Sequence, residues 1–231
     1  MLSPAGRVVM ISGAARGIGR AVLERLLAVG CLVSAGVRDP SKLPEQAGLM
    51  HARYEASSAE SAAAWVAATV ARHGRIDALV NAAGVNPRGA MLDADEAPFD
   101  RMWDVNAKGP MRVIRAAWPH LVASGAGRVI NVASLSGKRV RNDNLGYAMS
   151  KFAVMALTQE VRRLGWEHGI RATALCPGFV DTDMTSHVTK LPRNEMTRPE
   201  DLAALVEAVL HLPNTASVAE LLVNCRHEDT L

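Results

Sequence analysis

The sequence predicts an α/β fold in which a doubly wound parallel sheet carries helices on both faces. Short apolar runs rich in β-branched residues alternate with helical patterns along the chain. The first run leads directly into a glycine-rich turn that opens a helix. Ser12, Asn81, Ser134 and Pro177 all fall at predicted strand ends, where ligands bind in sheets of this kind. Because no linker, repeat or low-complexity run divides it, we expect residues 1–231 to form a single domain.

The first strand is predicted at residues 7–11, and residues 12–19 follow it with the spacing Gly-x-x-x-Gly-x-Gly. Apolar residues then recur at steps of three and four until Gly30, which indicates a helix. Strand, glycine turn and helix are the context that a dinucleotide-binding loop requires. Glycines let the backbone approach a pyrophosphate, and the helix N-terminus offers free N–H groups to it. The alternative is a glycine-rich turn that binds no ligand.

The remaining elements alternate along the chain. We predict strands at residues 32–36, 51–54, 78–81, 128–133, 172–176 and 220–224. We predict helices at residues 59–73, about 102–124, about 147–167 and 201–210. Pro110 and Pro119 are possible bends in the second of these helices. Such alternation favours a parallel sheet with helices on both faces.

Composition excludes several classes of protein. Of the 231 residues 49% are hydrophobic, which suits a globular core. Aromatic residues make up only 4%, and no basic stripe carries interleaved aromatics, so we expect no nucleic-acid partner despite the net charge of +3. The longest apolar stretch, residues 62–71, is too short for a membrane span. Since the first strand leaves no room for a signal peptide, we expect a cytoplasmic protein.

Cysteine and histidine usage predicts neither disulfides nor a metal site. Cys31, Cys176 and Cys225 are far apart and odd in number, and each is read as a small buried residue. The seven histidines are scattered without ligand-like pairing. We therefore expect no metal.

Tyr147 and Lys151 lie four residues apart, which places them on one face of a helix. A phenol titrates near ~10, and a nearby cation favours the phenolate, so Lys151 is expected to lower the pKa of Tyr147. Ser134, thirteen residues before the tyrosine, would hold a substrate oxygen in front of the phenol, with Ser136 as its rival. The alternative for the Tyr–Lys pair alone is a solvated lysine one turn after a packed tyrosine.

Together these motifs resemble the short-chain dehydrogenase/reductase family in its compact single-domain branch. The resemblance runs from about Arg7 to about Val223. The matching segments are residues 12–19, 81–84, 105–109, 130–134, 147–151 and 177–182. The resemblance implies a Rossmann-like fold and transfer of a hydride between a nicotinamide and a carbonyl or secondary alcohol. The alternative is a non-catalytic NADP(H)-binding redox sensor or regulator, which would not need a complete set of catalytic residues.

The resemblance also implies roles for individual residues. Tyr147 would donate or accept the proton, Ser134 would orient the substrate oxygen, and Lys151 would bind the nicotinamide ribose. Asn106 would hold a water that relays protons, unless it is a structural polar residue within a helix. The implied cofactor-binding residues are Ser12, Gly13, Arg16, Gly17, Ile18, Gly19, Arg38, Glu55, Asn81, Ala82, Gly84, Tyr147, Lys151, Pro177, Gly178, Val180 and Thr182.

Charge near the second strand favours NADP over NAD. NAD usually meets an acidic residue at the end of that strand, but Val37 stands there and Arg38 follows it. Arg16 lies inside the glycine loop, and two guanidinium groups suit a 2′-phosphate. The alternatives are that both arginines are solvated or that Asp39 approaches the ribose. Glu55 stands where the family usually has an aspartate beside the adenine.

Residues 138–144 should border the substrate cleft. Lys138, Arg139 and Arg141 either steer an acidic substrate or belong to a solvated loop beside Asp143, and Arg88 is a further candidate for the same patch. We expect a small-molecule carbonyl or alcohol substrate. Residues 221–226 depart from the usual family ending, which leaves homodimer and homotetramer both open.

Overall fold

The computed structural model describes residues 1–227, in which seven strands form one sheet. The strands are β1 Val8–Ser12, β2 Leu32–Val37, β3 Leu49–Arg53, β4 Ala78–Asn81, β5 Arg128–Val132, β6 Arg171–Pro177 and β7 Glu220–Val223. The helices are α1 Gly17–Ala28, α2 Ala59–His73, α3 Ala97–Met102, α4 Gly109–Ala123, α5 Leu145–Gly165 and α6 Pro199–Leu210. The strand order is β3-β2-β1-β4-β5-β6-β7, with every neighbouring pair parallel. The predicted doubly wound α/β fold is confirmed.

Both faces of the sheet are covered by helices. Val9 and Ile11 of β1 pack into an apolar cluster with α1 and α6, whereas Met10 packs with α2, α4 and α5 on the opposite face. The same alternation occurs in β4, where Val80 joins the first cluster and Leu79 the second. Successive side chains point to opposite faces of a strand, so strands covered on both sides need apolar residues at every position. This is why they appear in the sequence as continuous apolar runs.

The chain reverses its direction of strand addition at β1. Strands β2 and β3 add to one side of it, and β4 to β7 add to the other. Ser12 ends β1 beside Asn81, which ends β4. The Ser12 hydroxyl oxygen accepts hydrogen bonds from the backbone N–H groups of Ala82 (3.1 Å) and Ala83 (3.2 Å). This side chain therefore holds together the two loops that flank the crevice at the switch point.

The helix predicted at about 102–124 differs from the observed structure. It begins earlier, as α3, and passes through a π-helical turn at Trp103–Lys108 before α4. Pro110, the second residue of α4, has no N–H to donate to the carbonyl of Asn106, so regular α-helical bonding is interrupted there. Most other predicted boundaries agree within two residues. Among residues 1–227, none of the helices has the length and apolar character needed to cross a bilayer.

Candidate active site

A cavity of about 1180 Å³ lies along the carboxyl edge of the sheet. The glycine loop, residues 13–19, and the end of β2 form one end of it. The loops that follow β4, β5 and β6 form the other end. Ser134, Tyr147 and Lys151 all line this second end, so the fold brings three of the four predicted catalytic residues together.

The glycine loop packs tightly against the loop after β4 and lines the cavity with its backbone. Gly13 and Gly17 have positive φ angles of 69° and 56°. A Cβ atom on Gly13 would lie 2.8 Å from the backbone of Ala83, a distance that side chains do not tolerate. Among residues 1–227 no side chain caps the first turn of α1, whose residues Gly17, Ile18 and Gly19 line the cavity. The N–H groups of this turn are therefore left for an anion.

Lys151 is buried, and its ammonium donates a 2.7 Å hydrogen bond to the carbonyl oxygen of Val132 at the end of β5. The ammonium nitrogen lies 5.5 Å from the centre of the Tyr147 ring. Ser134 follows β5, and its hydroxyl oxygen accepts a 3.0 Å hydrogen bond from the N–H of Ser136. The rival candidate Ser136 also lines the cavity. The end of strand β5 and helix α5 thus place Ser134, Tyr147 and Lys151 along one wall of the cavity.

Burial shifts the pKa values of Tyr147 and Lys151 in opposite directions. Burial raises the pKa of Tyr147 to about 12, and a hydrogen bond from Ser134 opposes part of that rise. Burial lowers the pKa of Lys151 to about 8, with an opposing effect of the Cys176 thiol. Desolvation of the phenolate dominates the pKa of Tyr147, and the lowering of this pKa by Lys151 stays a prediction. At neutral pH the phenol is protonated, which suits a proton donor.

Asn106 is buried and does not line the cavity. Its amide oxygen accepts a 2.8 Å hydrogen bond from the N–H of Val85, and its amide nitrogen donates to the Val85 carbonyl (2.9 Å) and to the Ser150 hydroxyl (3.0 Å). The Ser150 hydroxyl in turn donates to the carbonyl of Tyr147 at 2.8 Å. These bonds fasten the loop after β4 to α5, which favours the structural alternative for the side chain.

Asn81 likewise lies below the cavity surface. Its amide donates a 2.8 Å hydrogen bond to Asn131 of β5, whose own amide donates to the Thr158 hydroxyl of α5 at 2.9 Å. Ser12 also lies outside the cavity lining, where it holds the loop after β4. Ala82 and Gly84 line the cavity as predicted residues of this loop. Asn81 and Ser12 therefore hold the loops that line the cavity in place, but their own side chains do not line it.

The sequence analysis placed Asn144 in the loop that borders the cleft but missed its role. Its amide oxygen accepts hydrogen bonds from the N–H groups of Tyr147 (3.3 Å) and Gly89 (3.1 Å). Its amide nitrogen donates to Asn86 and to the carbonyl of Pro87. The residue therefore caps α5 and fixes the loop after β4 against the catalytic helix. An asparagine three residues before Tyr147 at the start of a helix was the available signal.

The charged residues predicted to select the cofactor lie in the loops after β1 and β2 and near the end of β3. Arg38 is exposed and lines the cavity. The Asp39 carboxylate is turned toward Ser41, from whose N–H and hydroxyl it accepts bonds of 3.2 and 2.7 Å. Arg16 forms an exposed ion pair with Asp183 at 3.3 Å. The Glu55 carboxylate accepts a hydrogen bond from Ser57 at 3.3 Å and does not line the cavity, although its neighbours Tyr54 and Ala56 do.

The segment after β6 crosses the cavity. Pro177, Gly178 and Val180 line it, as predicted. Thr182 also lines the cavity, and its methyl group lies 3.2 Å from where a Cβ of Gly17 would stand. The segment therefore runs from the catalytic end to the glycine loop.

The loop before α5 contributes fewer cations than predicted. Lys138 does not line the cavity, because it forms a 2.7 Å ion pair with Glu220 of β7. Arg139 and Arg141 do line it, together with Asp143. Arg88, in the loop after β4, joins them.

Comparison with known proteins finds relatives that match most of this chain. The family model described as short chain dehydrogenase matches residues 7–192. An agropine synthesis reductase of Rhizobium rhizogenes is 40% identical over 227 residues, which cover 96% of this chain and 53% of that protein. The chain thus spans about half the length of that curated relative.

Two solved structures have the same fold. A 3-ketoacyl-(acyl-carrier-protein) reductase from Brucella melitensis, complexed with NADH, superimposes with a TM-score of 0.88 and is 25% identical, covering 96% of this chain and 98% of its own. An alcohol dehydrogenase from the archaeon Thermococcus sibiricus, complexed with 5-hydroxy-NADP, gives a TM-score of 0.85 at 27% identity, covering 94% and 95%.

Proposed function

The chain belongs to the short-chain dehydrogenase family, and from that premise we propose that it is an NADP-dependent reductase of ketones or dehydrogenase of secondary alcohols. The observation that carries the proposal is the arrangement of one cavity. Ser134, Tyr147 and Lys151 stand at one end of it, and a glycine loop on a helix N-terminus stands at the other. Hydride-transfer enzymes need both ends, one to hold a dinucleotide and one to manage a proton.

The residues at the glycine-loop end fit a dinucleotide. Gly13 and Gly17 line the cavity with backbone alone, and the first turn of α1 has no side-chain cap from the described residues. A pyrophosphate would therefore meet backbone N–H groups and the positive end of the helix dipole. Arg38, exposed at the end of β2, would face the ribose and its 2′-phosphate, because Asp39 is occupied by Ser41.

The residues of the catalytic end would manage the proton. NADPH, when bound, supplies the hydride. The neutral phenol of Tyr147 would donate its proton to the substrate oxygen as negative charge develops there, and Ser134 would hold that oxygen by its hydroxyl. The Lys151 ammonium, fixed by the Val132 carbonyl, would stabilise the phenolate left behind and bind ribose hydroxyls.

The proposal includes a homo-oligomer. Met149 and Phe152 lie on the outer face of α5 and remain 50% and 43% exposed, respectively. Large apolar side chains left in water on one helix favour burial against a second copy of the chain. Light scattering of the purified protein tests this part, and a monomer at micromolar concentration would contradict it.

The first experiment follows NADPH and NADH oxidation over a panel of ketones, aldehydes, diketones and keto acids. We compare the wild type with Tyr147→Phe and Ser134→Ala, using Ser136→Ala as the matched control. Loss of the phenolic hydroxyl should reduce kcat by about 10²-fold or more, the usual contribution of a positioned acid. Ser134→Ala should cost more activity than Ser136→Ala.

Other outcomes would change the assignment. Full turnover in Tyr147→Phe would remove the tyrosine as proton donor. A larger loss in Ser136→Ala would exchange the roles of the two serines. Tight NADPH binding without turnover of any carbonyl would favour the non-catalytic binding protein instead.

A further inference from the structure

Positive charge is concentrated around the cavity. Nine lysine and arginine residues line it, with two aspartates, among residues 1–227. Residues 1–227 have 26 basic and 21 acidic side chains, so those outside the cavity lining number 17 basic and 19 acidic. Within residues 1–227 the excess of positive charge therefore lies at the cavity, and the residues outside its lining are slightly negative overall. A concave site of one sign attracts ligands of the opposite sign.

The cofactor accounts for only part of this charge. Arg16 and Arg38 belong to the loops after β1 and β2, where the phosphates of a dinucleotide would lie. Lys151 belongs to the catalytic group. The other six cations belong to segments that follow β4, β5, β6 and β7, on the catalytic side of the switch point, and they are Arg88, Arg101, Arg139, Arg141, Lys190 and Arg226.

Arg88 and Arg101 are placed next to the catalytic helix. The loop that contains Arg88 is fixed to the start of α5 by Asn144, which bonds to the residues on both sides of it. Arg101 precedes Met102, whose methyl group lies against Gly146, the neighbour of Tyr147. Both arginines are exposed and form no ion pair within the described part of the chain. Their charges are therefore available to a ligand in the cavity.

A second pair of cations, Lys190 and Arg226, lines the cavity in the segments after β6 and β7. Phe179, directly after Gly178, lines the cavity, and both Lys190 and Arg226 lie 5.5 Å from the centre of its ring. The ring stabilises both cations, yet it leaves their positive charge uncompensated. Neither of them pairs with a carboxylate among the residues that the structure describes. Among the described residues, the cavity lining thus has unpaired cations both in the segment after β4 and in the segments after β6 and β7.

We propose that the substrate is an anionic carbonyl compound, whose carboxylate or phosphate is bound by Arg88 and Arg101 while its carbonyl faces Tyr147. The inference rests on the proposed function, because it names the substrate class of the same site. Guanidinium groups bind carboxylate and phosphate through two parallel hydrogen bonds, which would fix orientation as well as increase affinity. Lys190 and Arg226 would add long-range attraction.

The test uses pairs of ketones that differ in charge. Levulinate is compared with its methyl ester, and dihydroxyacetone phosphate with dihydroxyacetone, all with NADPH. The variants are Arg88→Gln and Arg101→Gln, and the matched control is Arg72→Gln, which removes one exposed charge of α2 far from the cavity lining. For each pair the measured quantity is the ratio of kcat/KM for the anion to kcat/KM for its neutral partner.

The wild type should prefer at least one anion by about tenfold or more at low salt, and each cavity variant should reduce that ratio by about 3- to 10-fold. Arg72→Gln should leave the ratio unchanged, and 0.5 M salt should lower the ratio in the wild type. The pair with the larger ratio distinguishes a carboxylate from a phosphate. Equal turnover of anion and neutral partner, or a ratio unaffected by either cavity variant, overturns the inference while the proposed function stands.

A second readout separates the two proposals. If none of the four ketones is reduced, saturation-transfer NMR with the NADP-loaded protein measures binding of the same compounds. If an anion binds better than its neutral partner and its binding weakens in Arg88→Gln, the anion site is supported even though these carbonyls are not reduced. Absence of any preference for the anions overturns it.

Discussion

The ammonium nitrogen of Lys151 lies over the ring of Tyr147, 5.5 Å from its centre. The carbonyl of Val132 holds it there at 2.7 Å. The helix brings the two side chains to one face, and the strand end then fixes the ammonium. Burial moves their pKa values in opposite senses, to about 8 for Lys151 and about 12 for Tyr147. The lysine is therefore the group of the pair that titrates near physiological pH.

We predict a pH dependence from this difference. In the reductive direction kcat/KM for NADPH, which reports the free enzyme, should fall as pH rises through about 8, because Lys151 then loses its positive charge. Tyr147 stays protonated over this range and should produce no inflection. Lys151→Arg, whose guanidinium keeps its charge, should retain some activity and remove the fall near pH 8. A profile that is flat to pH 10 in the wild type would contradict the assignment to Lys151.

Asn106 should prove important for stability. Asn106→Ala would leave the N–H and carbonyl of Val85 and the hydroxyl of Ser150 without their partner, in a buried place. We expect it to lower the free energy of unfolding by about 2–4 kcal/mol, measured by urea denaturation. Asn194→Ala, at an exposed position, should change it by less than about 0.5 kcal/mol. Similar stabilities for the two variants would show that the bonds of Asn106 are dispensable.

The sequence predicts the sheet well because its strands are covered on both faces. Continuous apolar runs such as residues 78–81 have no competing interpretation as amphipathic helices, and their observed bounds agree closely. Spacing also predicts the site where the geometry is local. Four residues place Tyr147 and Lys151 together because both belong to one helix, and the strand-end rule brings Ser134 to them.

The remaining features depend on contacts distant in sequence. Whether Asn81 and Asn106 face the cavity depends on Asn131 and Val85, to which local patterns do not connect them. The pKa of Tyr147 depends on burial, which spacing does not reveal. Lys138 is removed from the cavity by Glu220, eighty-two residues away in the chain. Motif matching therefore finds the right segments and does not predict the direction of each side chain.

Gly13 and Gly74 allow a matched test of the glycine loop. Both have positive φ angles, 69° and 74°, so alanine is strained at either position. A Cβ on Gly74 would meet nothing within 4 Å, whereas one on Gly13 would lie 2.8 Å from the backbone of Ala83. Gly74→Ala should therefore cost about 1 kcal/mol of unfolding free energy, and Gly13→Ala about 3 kcal/mol or more. Equal losses in urea denaturation would show that the contact between the two loops is not tight.

The choice of NADP depends on Arg38 in our proposal. This side chain is exposed at the end of β2 and lines the cavity, and Asp39 is held away by Ser41. Arg38→Ala should raise KM for NADPH by about 10-fold or more, since a guanidinium–phosphate contact contributes about 1.5–3 kcal/mol, and leave KM for NADH nearly unchanged. Arg53→Ala removes a charge from the neighbouring strand β3 without touching the cavity lining, so it controls for general electrostatic attraction. A selective loss with NADPH, absent in Arg53→Ala, would identify Arg38 as the residue that recognises the 2′-phosphate. If both variants weaken the binding of NADPH and NADH alike, Arg38 acts only through overall charge. Any preference for NADPH must then come from Arg16, because a phosphate can displace Asp183 from its exposed ion pair with this residue.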